Sequence, residues 1–122
     1  VTFLTVNASV APTREEAEAL LLPNLQSMAR LRTGQPLRPL DLVEDAQGAR
    51  VTPQEQHIID AVAAKTVLGE PAEAAEQLRS LAARFAVDEV MVHPVAAARR
   101  GTDPATAPAR EQTLELLAKE LF

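Results

Sequence analysis

The chain has 122 residues, 47% of them hydrophobic and 24% charged, with a net charge of −5, which bounds it to one globular domain with a modest core. A nucleic-acid partner is not expected, because neutralising phosphates needs a basic face and three Phe without Trp or Tyr offer no base-stacking platform. The absence of cysteine removes disulfides and thiol catalysis and suits a cytoplasmic location, and the longest apolar run, Ala19–Pro23, is too short to span a membrane.

Residues 1–11 have the length and β-branched content of a strand, with apolar side chains in both phases (Val1, Phe3; Leu4, Val6), the pattern of a parallel sheet covered on both faces. Residue 1 is Val and already lies in this run, so the chain is expected to begin in mid-fold, as the tail of a longer protein. Pro12 ends the strand, and Thr13 with Glu16 makes a capping box that opens a helix over 13–33. Its stripe is Ala17, Leu20, Leu21, Leu25 and Met28, Pro23 predicts a kink, and Thr33-Gly34 closes it. Residues 35–50, punctuated by Pro36, Pro39 and Gly48, read as a long loop. Thr52-Pro53-Gln54-Glu55 begins a second helix over 52–65, with Ile58, Ile59 and Val62 as its apolar stripe.

Residues 66–95 then read as a strand (66–69), a glycine turn, an amphipathic helix (71–85) and another strand (87–93), which is one βαβ unit. The helix over 71–85 should bury Ala75, Leu78, Leu81, Ala82 and Phe85. A final helix over 109–121 should bury Leu114, Leu117, Ala118 and Leu121. The expected fold is α/β, with three parallel strands neighbouring one another in chain order and four helices on one face. Three strands cannot close a barrel. A sheet face bearing Phe3, Val67 and Met91 would therefore need cover from another segment of the protein or from a second copy.

Gly69-Glu70-Pro71, the following A-E-Q-L-R-S-L-A-A-R-F and the strand D-E-V-M-V, in that order, resemble the carboxyl-terminal end of bacterial luciferase-like flavin-dependent monooxygenases. Arg110 to Ala118 is similar to the family's R-x-x-S-x-x-L-L-A helix, with Thr113 for the usual Ser. The T-R-E-E-A helix start and A-R-L-R-T-G helix end are in the same style. The resemblance covers nearly the whole chain and weakens at 35–50 and 94–108. It implies the last three strands and helices of an eight-stranded (β/α) barrel, a TIM-type fold. It implies FMN or deazaflavin in the intact family, used for oxygenation or hydride transfer. Glu70 replaces the small capping residue usual there, and Ala86 stands where Gly is common. The family's phosphate contacts and most of its catalytic residues come from earlier strands, so this segment alone is expected to bind no flavin tightly and to be inactive.

Among individual residues, His93 ends the last strand, where barrels carry their chemistry, and is a candidate proton donor or flavin contact. Asn7, near the end of the first strand, is a candidate hydrogen-bond partner for a ring edge. Gly69-Glu70-Pro71 precedes a helix N-terminus, but Glu70 has the wrong charge for an anion and Pro71 no N–H, so it reads as a structural turn. Asp88 and Glu89, adjacent in a strand, should point to opposite faces and cannot act as a carboxylate pair. Arg99-Arg100 reads as a solvated loop, His57 as an exposed helical residue, and two distant histidines give no metal site. The expected function is a portion of a luciferase-like flavin oxidoreductase; the alternative is a self-associating, non-catalytic half-barrel module. A barrel hydrolase or aldolase ranks last, for want of carboxylates or Lys at strand ends.

Overall fold

The computed structural model describes residues 3–36, 40–87, 89–103 and 105–121; the expected start of the first strand at residues 1 and 2 lies outside them. In chain order the elements are β1 (Phe3–Val10), α1 (Arg14–Arg32), α2 (Val43–Gly48), α3 (Pro53–Ala63), β2 (Val67–Gly69), α4 (Pro71–Phe85), β3 (Glu89–Pro94) and α5 (Pro108–Leu121). The helix starts at 13 and 52 follow the expected caps: Thr13 accepts from the Glu16 N–H, and Thr52 with Glu55 forms a reciprocal capping box. α2 is an addition, a short helix inside the segment expected to be loop, held by buried Val43 and Ala46.

All strand pairs are parallel, as the βαβ pattern requires, but the order is β2-β1-β3 rather than the order of the chain. β3 pairs along β1 from Phe3↔Glu89 to Ala8↔Pro94, and β2 pairs only with Ala8–Val10. The reason lies at the outer edge of β2. Its Leu68 N–H donates to Gln77 Oε1 at 3.0 Å, and its carbonyl accepts from Gln77 Nε2 at 2.8 Å. One amide thus takes the place of a neighbouring strand, and β3 pairs with the open edge of β1 instead.

This order also corrects the expectation that helices cover one face. The chain moves one way from β1 to β2 and back across β1 to β3, and right-handed crossovers put the two connections on opposite faces. On one face Val6, Ala8, Val10 and Val67 pack with Ala74, Leu78 and Leu117 of α4 and α5. On the other, Leu68 packs with Ala17, Leu21 and Ile59 of α1 and α3, and Ser9 Oγ donates to the Ala17 carbonyl. Val67, expected on the uncovered face, is therefore buried at 1% exposure, whereas Met91 is 56% exposed; the Phe3 side chain lies outside the described residues. Phe85 and Leu114, expected inside, are exposed. α4 instead buries Ala74, Ala75 and Leu78, and α5 buries Thr113 and Leu117.

α1 continues through Pro23, which is itself buried. Next to it the Leu20 carbonyl accepts the N–H of Ala97, which ties the segment after β3 to the helix. Arg99 then bonds Glu16 through Nε and Nη2, Arg100 Nη2 bonds Asp45, and the Arg100 N–H donates to Glu44. That backbone hydrogen bond holds the Glu44 carboxyl below the usual carboxylate range, and the Thr52 N–H does the same for Glu55. Both groups bind fewer protons folded than unfolded. Their contribution is therefore full above about pH 4.3 and is lost as pH falls through the lowered folded values. Urea midpoints measured at decreasing pH should fall in this acid range, and should fall less steeply in Glu44→Gln and Glu55→Gln.

Candidate functional site

β1 alternates strictly from residue 4: Leu4, Val6, Ala8 and Val10 face α4 and α5, and Thr5, Asn7 and Ser9 take the opposite face. Toward the carboxyl end α1 covers Ser9 and Leu68, both buried. Thr5 and Asn7 remain exposed, as do Glu89, Met91 and His93 of β3. The register makes Thr5 the partner of Met91 and Asn7 the partner of His93. Parallel strands run about 4.8 Å apart. The two residues singled out from the sequence, distant along the chain, thus stand side by side on one open sheet face at the carboxyl ends of adjacent strands.

Neither side chain hydrogen-bonds to another described residue, so both are available to a ligand. The Asn7 amide offers donors and an acceptor, and the His93 imidazole can hold or release a proton. Beside them Met91 and Thr5 supply a soft apolar and a small polar surface. The arrangement suits the edge and flat face of a planar polar ring. It contains no nucleophile–base pair.

The other candidates resolve differently. The turn at Gly69, with φ of 140°, lets Glu73 of α4 fold back over the glycine. Glu73 also bonds Arg14 at 2.9 Å. With Glu73 in the first turn and Glu70 as the N-cap, the start of α4 is already acidic and repels a phosphate. Arg99 and Arg100 are neutralised by Glu16, Glu44 and Asp45, so the loop they occupy, solvated as expected, is also tied down and offers no anion site. His57 is exposed on α3. Asp88 lies outside the described residues, so the expected opposition of Asp88 and Glu89 rests on strand geometry alone. Among the described residues no group of three His, Cys, Asp or Glu could hold a metal, and no helix is long and apolar enough to cross a membrane.

Neither Asn7 nor His93 lines the two grooves that follow. A groove of about 700 Å³ runs between Leu4–Val6 and α4, and another of about 620 Å³ lies between residues 96–98 and the start of α5. The sequence reading missed Thr5 and Met91 as neighbours of the candidate pair. The signal that could have found Thr5 was the polar phase of β1, Thr5 and Asn7 before the α1-covered Ser9, which marks the part of that face not packed against helices.

No protein-family model matches the sequence, and no curated protein matches it. Among solved structures, the crystal structure of apo-MsnO8 is similar in fold, with a TM-score of 0.74 at 21% identity over 97% of this chain. The match occupies 34% of that protein, so the chain spans about a third of its length.

Proposed function

We propose that this chain is a carboxyl-terminal portion of a luciferase-like flavin-dependent oxidoreductase, a TIM-type (β/α) barrel in its intact form, with β1 and β3 as adjacent barrel strands and the short β2 outside the barrel order. The bare face of β1 and β3 would turn toward the flavin. The observation that carries this reading is the register pairing of Asn7 with His93 on an uncovered, polar sheet face. The motif resemblance and the likeness to a third of a larger chain support it. Flavin, FMN or deazaflavin, would supply hydride transfer or oxygen activation. Asn7 would hold the ring edge through its amide, and His93 would hold or move a proton beside it. No described cluster of this chain fits the phosphate, since the start of α4 is filled by Glu73, so that contact falls to other parts of the protein. Cytoplasmic location belongs to the same reading.

The chain alone should therefore bind FMN weakly. Titration followed by flavin fluorescence should show no saturable quenching at low micromolar FMN, and saturation there would overturn the expectation. In the longer protein carrying this segment, Asn7→Ala and His93→Ala should each weaken flavin retention roughly tenfold, the loss of about one hydrogen bond. Unchanged affinity and turnover in both variants would remove the site.

A stand-alone, non-catalytic module is the second reading. It is favoured by the Gln77 amide, which completes β2 without any further strand.

A further inference from the structure

A cavity of about 410 Å³ lies between α1, the start of α3 and the segment that joins α2 to α3. Gln26, Arg30, Gln35, Arg50 and Glu55 are among its walls, and no strand residue lines it. Two polar side-chain atoms of these walls are buried without a hydrogen-bond partner, Gln26 Oε1 and Arg30 Nη2. Gln26 is 3% exposed, and its Nε2 donates to the Ala46 carbonyl at 2.8 Å. A carbonyl can only accept, so this bond fixes which end of the amide is left over. The Arg30 side chain is 13% exposed, and its Nη1 reaches Asp41 only at 3.7 Å. Gln26 and Arg30 are four residues apart on α1 and so are neighbours on one helix face. Buried polar groups are nearly always paired, and two orphans beside one cavity call for a shared partner.

We propose that this cavity binds a small carboxylate that carries a hydroxyl or amino group next to its carboxyl. Arg30 Nη2 donates and lacks an acceptor; Gln26 Oε1 accepts and lacks a donor. An α-hydroxy or α-amino acid presents the two on adjacent carbons, and its carboxylate makes the stronger, charge-assisted bond to the guanidinium. The wall charges suit an acid. Glu55 is committed to the Thr52 N–H, and against it stand two cations, Arg30 and Arg50. The volume is in the range of small-molecule sites. Gln35 and Arg50 are exposed, and their side chains form the movable mouth through which a ligand reaches the two covered atoms. The site is separate from Asn7 and His93 and does not rest on the flavin reading.

The chain should be titrated with glycolate and with glycine, following the Gln26 and Ala46 amide signals by NMR. Saturable shifts at millimolar ligand are expected, and the tighter of the two ligands identifies the donor as hydroxyl or amino. Acetate lacks that donor and ethylene glycol lacks the carboxylate. Each should bind about tenfold more weakly, the loss of about one hydrogen bond. Gln26→Met and Arg30→Lys keep most of the bulk of each side chain and should weaken the tighter ligand about tenfold, with an unchanged circular dichroism spectrum. The ligand series itself needs no substitution. No saturable shift with any of the four ligands would mean that the cavity holds water only, and would overturn the proposal. So would acetate binding as tightly as the better of glycolate and glycine, or unchanged affinity in both variants. None of these results depends on FMN, so they stand apart from the flavin test.

Discussion

Thr113→Val should destabilise the chain by about 3 kcal/mol, although it exchanges one side chain for another of nearly equal shape. Thr113 Oγ1 accepts the Val10 N–H at 3.0 Å and donates to the Val10 carbonyl at 3.2 Å. β3 has ended by this point of β1, and the hydroxyl serves the strand in its place. Thr113 is fully buried, as is Val10, so water cannot replace the lost partner. Each orphaned group costs about 1–3 kcal/mol. For a chain of this size the loss should lower the melting temperature by roughly 10 °C. Thr113→Ser keeps the hydroxyl and removes a methyl, and should cost only about 1 kcal/mol. Thermal unfolding of the two variants side by side separates the hydrogen bonds from the packing. Equal losses would mean that the hydroxyl does not hold β1.

Gly69→Ala should cost about 2–3 kcal/mol, from two sources. Its φ of 140° is a conformation that side chains rarely adopt, worth about 1–3 kcal/mol of strain. An added Cβ would also fall on the Glu73 carboxylate, and moving that group breaks its ion pair with Arg14. Gly34→Ala, with φ of 79° and open space around it, should show the backbone cost alone, about 1 kcal/mol. Urea midpoints check both. In a double-mutant cycle with Glu73→Ala, the cost of Gly69→Ala should shrink by the part due to the collision. A cost that is unchanged would assign the whole effect to the backbone.

The elements were legible because their signals are local. The capping residues Thr13 and Thr52, Pro53 and Pro71 at helix starts, and Gly69 after β2 all act within one turn of chain. The order of the strands was not legible. It depends on Gln77 reaching back nine residues to Leu68, and an exposed-looking glutamine on a helix carries no mark of that task. The same failure misplaced the inner face of α5. Thr113 looks polar in the helical repeat, yet it is the residue that β1 needs, and Leu114 is turned outward in its place. β1 was read as apolar on both faces because Val1 and Phe3 were weighed with Leu4 and Val6. From residue 4 onward its alternation gives one apolar face, packed on α4 and α5, and one polar face that α1 covers only at Ser9. Asn7 and His93 were identifiable as strand-end residues, but only the β1–β3 register brings them together, and that register follows from the strand order.

The Gln77 amide has a consequence for how large an assembly can become. A sheet with two open edges can add copies at both and grow without limit, which is the route to fibres. At Leu68 the Gln77 amide already occupies both outward backbone groups of β2, so no further strand can add there. Removing the amide, as in Gln77→Leu, would leave a bare strand edge on which another chain could pair.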